Sequence, residues 1–270
     1  MSGPFKRFDV DTHFSAVTKQ AVFVSWAMSP NFSAPSPWTF TLYRGLAPTD
    51  DALEPIATIV DVPWIYDTRP ITNMLDLTVF YQVVLTDANG VTYPSQVADC
   101  KSYWSRYDWS IAKEVTRKEL LLLTKKTGTH GYLLKRRYFG TQCPVCIDPV
   151  LKTSNQSQCP SCYGTGFVGG YYPAQTCWLT LNATQFSQKL TENGLITHTA
   201  ETARGLAYPS ATPNDLWVNT HANTRYFVAT DTRAVARLRG IDLVVEFNLN
   251  KVAPDHTVYN VPTPSGAGTN

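Results

Sequence analysis

Phe80-Tyr-Gln-Val-Val-Leu85, running on into Asp87-Ala-Asn-Gly90, holds a strand and its turn within one short stretch. Side chains of a strand point alternately to its two faces, so apolar residues at every second position mark a half-buried strand, and Asp-Ala-Asn-Gly is hairpin-type turn chemistry. Working outward, the same texture recurs in Val22-Phe-Val-Ser-Trp26, Thr39-Phe-Thr-Leu-Tyr43 and Ile56-Ala-Thr-Ile-Val60, with Arg44-Gly45 as a further turn. No helix pattern interrupts residues 10–99. About seven short strands in about ninety residues predict a β-sandwich.

The whole chain of 270 residues, 43% hydrophobic and 12% aromatic, has material for more than one folded core and leans towards β structure. No apolar run approaches the roughly 20 residues that span a bilayer, and the first residues are too polar for a secretory leader, so a protein made in a reducing cytoplasm, without a membrane partner, is expected. The net charge of +2 hides an asymmetry: 5 basic and 10 acidic residues in 1–100, 10 and 3 in 101–137, 8 and 8 in 138–270. A basic block of this kind faces nucleic acid, an acidic partner or water.

Four of the six cysteines stand as Cys143-Pro-Val-Cys146 and Cys159-Pro-Ser-Cys162. Cys-x-x-Cys on a tight turn offers two thiolates to one metal ion, and a second such turn after a short loop completes a tetrahedral set, so Cys143, Cys146, Cys159 and Cys162 are the expected ligands of a structural Zn²⁺. The polar loop from Ile147 to Gln158 has little to bury and needs such a centre to order it. Two disulfides or four free thiols are the alternatives; without a secretory leader the paired turns favour metal. Cys100 and Cys177 read as small buried hydrophobes.

Between sandwich and cysteines, Asp108 or Ser110 caps a predicted helix with Ile111, Val115, Leu120, Leu122 and Leu123 on its apolar positions and Gly128 as its stop. Its Lys113, Arg117, Lys118, Lys125 and Lys126, with Lys135, Arg136 and Arg137 ahead of the first Cys pair, are the candidate contacts to nucleic acid or a partner; a solvated polar face is the plainer account. Beyond Pro173, strands are expected at Cys177–Leu181, Leu216–Asn219, Arg225–Ala229 and Ile241–Phe247, with a hairpin turned at His221–Asn223 and a short polar helix or loop between Asn182 and Arg204. The tail after Pro254 reads as an extended arm that orders against a neighbour. The domain plan is thus 10–99 sandwich, 100–134 linker with a basic helix, 135–172 zinc ribbon, 173–253 C-terminal β domain and 254–270 arm.

Several stretches carry resemblances. A Leu six residues before Tyr81, Trp26, the strand at Thr39–Tyr43 with Arg44-Gly45, and Tyr81–Gly90 followed by Ser95 resemble fibronectin type III domains over residues 10–99. The resemblance implies a tyrosine corner at Leu75–Tyr81 and a core tryptophan, and a spacer or binding role for the domain. Cys-Pro-Ser-Cys-Tyr-Gly-Thr-Gly resembles one half-site of the cysteine-rich region of DnaJ-type chaperones, where glycines let the chain pass close to the knuckle; one unit without a J-domain argues against a co-chaperone. Residues 174–253 resemble the small β-barrel of tailed-bacteriophage head-closure and neck proteins. The Cys pairs with Gly-Thr-Gly-x-x-Gly-Gly-Tyr, in this domain order, resemble a group of phage structural proteins.

No nucleophile, base or open metal site converges in the sequence, and the five histidines are scattered, so an enzyme is not expected. The resemblance implies a virion protein made in the host cytoplasm and assembled as a ring of identical subunits at the neck or adjoining tail. Its sandwich domains would face outward, with portal, tail or fibre proteins and packaged DNA as further partners. The alternative is a zinc-ribbon nucleic-acid-binding protein with a partner-binding sandwich.

Overall fold

A computed structural model describes residues 4–13, 21–29, 32–67, 78–100, 106–147, 158–191 and 194–264. The chain divides into two compact units, Met1–Lys113 with Phe139–Thr141, and Glu114–Tyr138 with Gln142–Asn270. The protein is mainly β, with several sheets.

In the first unit, β1 (Phe5–His13), β2 (Ala21–Met28) and β5 (Trp64–Asp67) form one antiparallel sheet. The other contains β3 (Thr39–Gly45), β4 (Leu53–Val60), β6 (Val79–Thr86) and β7 (Thr92–Pro94) in the order β4-β3-β6-β7, with β8 (Ala98–Cys100) also on β6. The alternation in β6 puts Val79, Tyr81, Val83 and Leu85 in the core. They meet Phe40 and Leu42 of the same sheet and Val22, Val24 and Trp26 of the other, Trp26 lying 4.9 Å from the Phe40 ring. Trp26 is the core tryptophan that the sequence predicts. Ser95 bridges the break between β7 and β8, its hydroxyl oxygen accepting from the Val83 N–H at 2.9 Å. Asp87 holds the hairpin by accepting from the N–H groups of Asn89 and Val91, with Gly90 at φ +80°. The buried Tyr81 hydroxyl donates to Asp67 at 2.9 Å, and Arg44 reaches the same carboxylate at 3.0 Å. Leu75, the other half of the expected tyrosine corner, lies outside the described residues.

The helix α1 runs from Arg106 to Leu122 and loosens into a wider turn, Leu123–Thr127. It ends at Gly128, whose N–H reaches the Leu123 carbonyl at 2.9 Å; a Cβ there would lie 2.4 Å from that oxygen, so glycine is required.

The second unit is built on a closed six-stranded barrel. Its strands are β9 (Thr129–Leu134), β10 (Gln175–Thr191), β11 (Gly194–Leu206), β12 (Leu216–Asn219), β13 (Thr224–Val228) and β15 (Ile241–Lys251). The order β11-β10-β9-β12-β13-β15 is closed by pairing of β11 with β15, while β14 (Arg233–Leu238) extends along the same edge of β15 that β13 uses. Leu133, Leu179, Ala203, Trp217, Val245, Phe247 and Leu249 fill the barrel interior. Tyr132, Leu134, Leu216 and Val218, the alternate residues of β9 and β12, form a second cluster with Val252, Val258 and Val261. This explains why all four residues of β12 are buried: both faces of the strand are covered.

Three expectations are corrected. The span assigned to a linker ends earlier than predicted, because Thr129–Leu134 is a barrel strand and the cysteine segment is an insertion between the neighbouring strands β9 and β10. Residues 182–191 and 194–204 are not a helix or loop but paired antiparallel strands, running from Thr180↔Arg204 to Thr191↔Gly194 with a register shift between Ala183 and Gln185; backbone pairing satisfies itself without the apolar alternation by which strands are recognised. Residues 254–264 are not an extended arm. They fold back through a short 3₁₀ turn, Thr257–Asn260, that buries Val258 and Val261, while the buried Arg225 donates to the Val258 and Val261 carbonyls.

Candidate metal centre

Each knuckle is a tight turn of the same design. The Ile147 N–H donates to the Cys143 carbonyl at 3.3 Å, and the Tyr163 N–H to the Cys159 carbonyl at 2.7 Å. Two antiparallel bridges, Arg136↔Tyr171 and Gln142↔Phe167, bring the turns face to face. The Gly-Thr-Gly stretch then wraps the second pair: the Thr165 hydroxyl donates to the Cys162 carbonyl at 2.8 Å, and the Gly166 carbonyl accepts from the Cys143 N–H at 2.9 Å. Gly170 sits at φ +64°, where a Cβ would come within 2.7 Å of the Cys162 carbonyl oxygen, the close passage that the glycines imply.

The four expected sulfurs are brought together. Cys143, Cys146, Cys159 and Cys162 are all buried, and their Sγ atoms lie within 4.8 Å of one another. Cys143 to Cys159 is 3.8 Å and Cys146 to Cys162 is 3.3 Å, far beyond a disulfide bond of about 2.05 Å. A tetrahedral ion with metal–sulfur bonds of about 2.3 Å needs sulfur–sulfur edges of about 3.8 Å, so the set could hold a metal ion. Burial pushes the Cys143 thiol up, but the N–H groups of Val145 and Cys146 and the side chains of Cys146 and Ser161 outweigh it and bring it down to about 6; burial pushes Cys162 up. Cys177, by contrast, is pushed up to about 12 by burial alone in the barrel wall, as befits an inert thiol.

The basic candidates differ in exposure and in pairing. Lys113, Lys125 and Lys126 are exposed. Arg117 makes a two-pronged bond to Glu114 at 2.9 and 2.8 Å, and Lys118 lies 3.5 Å from the same carboxylate. Lys135 is buried and paired with Asp215 at 3.2 Å, which removes it from any contact surface. Arg136 donates to the Gly164 carbonyl at 3.3 Å, and Arg137 donates to the Tyr171 carbonyl at 3.2 Å with its guanidinium 4.9 Å from the Tyr172 ring. These two arginines tie the start of the insertion to its end. Asp215 is the residue that the sequence reading missed; a lone aspartate in Pro-Asn-Asp gives no sign of a partner eighty positions away.

No family model matches this sequence, and no curated protein does. Among solved structures, the crystal structure of pectate lyase Pel3 from Pectobacterium carotovorum is similar over 36% of this chain and 28% of that chain, at 14% identity and a TM-score of 0.28. The chain thus spans under a third of that enzyme's length, and a likeness at this level carries no argument about fold or activity.

Proposed function

We propose that this chain is a structural protein of a tailed phage virion, assembled as a ring of identical subunits at the neck or adjoining tail, with a Zn²⁺ held by Cys143, Cys146, Cys159 and Cys162. The observation that carries the reading is the placement of the thiol set: four buried sulfurs inserted between adjacent strands of a closed barrel, with no ligand position left over for water or substrate. Zinc bound there supplies a cross-link between the knuckles. Arg136, Arg137 and Tyr172 anchor the insertion from both ends, Tyr172 donating its N–H to the Lys135 carbonyl at 2.9 Å. A thiol set so placed holds a shape and offers no chemistry. Assembly also suits the long hairpin of β10 and β11, which outruns its barrel partners: β9 pairs only with 175–179 and β15 only with 200–206. Among the described residues no further strand pairs with the outer part of this hairpin, and unpaired strand edges are the usual sites of strand addition.

The second reading, a nucleic-acid-binding zinc ribbon with a partner-binding sandwich, draws on exposed Lys113, Lys125 and Lys126. Light scattering after gel filtration, together with a DNA titration at two salt concentrations, separates the two. A closed oligomer with little affinity for naked DNA is expected; tight, salt-sensitive binding by a lone monomer overturns the virion reading.

A further inference from the structure

A cavity of about 130 Å³ opens beside the second knuckle, walled by Tyr163, Tyr171 and Phe227, with Arg136, Asn214 and His256 among its polar residues. One water takes about 30 Å³ of the liquid, so the space admits a group of several heavy atoms. Separate parts of the second unit build it: Arg136 just after β9, the glycine-rich stretch behind Cys162, Asn214 before β12, Phe227 of strand β13, and His256 of the folded-back segment after Pro254. Two lining residues, Tyr163 at φ +53° and Asn214 at φ +68°, hold the left-handed backbone conformation that side chains other than glycine rarely adopt.

Its polar lining includes two strong donors, Arg136 and His256. The Val258 N–H donates to His256 Nδ1 at 3.2 Å, which leaves the proton of the neutral ring on Nε2, on the far side from that backbone group. Arg136 makes one long side-chain bond, 3.3 Å to the Gly164 carbonyl, and keeps further N–H groups of its fork. Behind the wall, buried Arg225 has only the Val258 and Val261 carbonyls as hydrogen-bond acceptors, and its Nε has none. Burial pushes the Tyr171 phenol up to about 12, while Arg136 and Arg225 both pull it down and Asp215 pushes it up, so both cations act at this wall. Asp215 itself is taken by Lys135 Nζ, by Thr212 and by the Arg136 N–H. Among the described residues at this wall, the cations Lys135, Arg136 and Arg225 stand with the Asp215 carboxylate.

From the aromatic walls, the guanidinium and imidazole that line the cavity and the buried Arg225 with its unpartnered Nε behind it, we infer that the cavity is a phosphate-binding site, taking either a free phosphate group or a phosphate of a nucleic-acid backbone. Guanidinium forks match phosphate oxygens, and Arg136 and His256 both line the cavity. The site does not depend on the assembly proposed above, because every residue comes from one unit of one chain.

The test titrates inorganic phosphate into the zinc-loaded full-length protein at low ionic strength, by calorimetry and ³¹P line broadening. Saturable binding is expected. Arg136→Gln and His256→Asn should each weaken it roughly tenfold to a hundredfold, the range for one hydrogen bond to a charged group. Asparagine at 256 can still accept from the Val258 N–H, so that variant keeps the turn and decides the matter if Arg136→Gln loses zinc or fails to fold. Lys113→Gln should leave binding unchanged. Displacement of phosphate by a short single-stranded DNA assigns the site to a nucleic-acid backbone, and its absence assigns it to free phosphate or a small ester. The inference falls if phosphate does not saturate, if acetate binds where phosphate does not, or if Lys113→Gln weakens binding as much as His256→Asn.

Discussion

The barrel and the segment inserted into it are neighbours in one unit and hold themselves together by opposite means. The barrel encloses Trp217, Leu133, Leu179, Phe247 and Leu249, several of them with almost no exposed surface, and at roughly 1.5–3 kcal/mol for each large apolar side chain buried such a core sustains itself. Among the described residues, the insertion's own core cluster is four cysteines with Ile147 half-buried against them. Where apolar area is scarce, order must come from a bonded centre, and metal binding free energy becomes folding free energy. The barrel should therefore survive what dissolves the insertion.

The largest effect expected is at the sulfurs. If the set holds zinc as proposed, Cys143→Ser combined with Cys159→Ser should abolish metal binding and unfold residues 135–172 while the sandwich keeps its own transition, since structural zinc contributes on the order of 10 kcal/mol. Metal analysis and hydrogen exchange check this, and full zinc stoichiometry in the double variant would refute the ligand assignment. Chelation of the native protein should reproduce the same local loss. Next comes the opposite break: Trp217→Ala opens the barrel interior at a cost of about 3–5 kcal/mol, read as a lowered melting temperature of the second unit with zinc still bound. In the sandwich, Tyr81→Phe removes a side-chain donor from buried Asp67 and should cost about 1.5–3 kcal/mol by chemical denaturation, with the second unit unmoved. Gly131→Ala sharpens the barrel side, because a Cβ there would stand 2.5 Å from Trp217 Nε1 and from the Val218 carbonyl oxygen; overpacking of about 1–3 kcal/mol is expected.

The smallest effect belongs to the exposed helix pair. The hydrogen bonds from Arg117 hold the Glu114 carboxyl down at about 2, so any stabilisation is present above the ordinary carboxylate range and lost as pH falls towards about 2. Both groups lie in solvent, where screening removes most of this, so Glu114→Gln should leave the melting temperature at neutral pH unchanged within error.

Much of this architecture is written locally. The strand at Leu216–Asn219 and the turn at His221–Asn223 stand where alternation and turn residues put them, the turn pinned by Asn219 Oδ1 accepting from the N–H groups of His221 and Ala222. The meeting of four sulfurs follows from two Cys-x-x-Cys turns and a short tether. Lys135 was illegible for the converse reason. In the sequence it is one of three consecutive cations, and only the fold turns it inward onto Asp215 while leaving Arg136 and Arg137 half-exposed. Polar hairpins such as β10 with β11 escape a reading based on hydrophobic period, because their pairing energy lies in backbone groups common to every residue.

By itself the sequence determined the predominance of strands, the knuckle pair and its four thiols, and the helix α1 with its glycine stop. Those features depend on contacts between residues close along the chain, where side-chain period, turn chemistry and ligand spacing act directly. The tertiary structure alone decided that β11 closes the barrel onto β15, that the cysteine segment enters between β9 and β10, and that residues 254–264 turn back to bury Val258 and Val261. Those outcomes join segments tens to more than a hundred positions apart. Which strand edge and which apolar face remain to be covered is set only when every other element has taken its place.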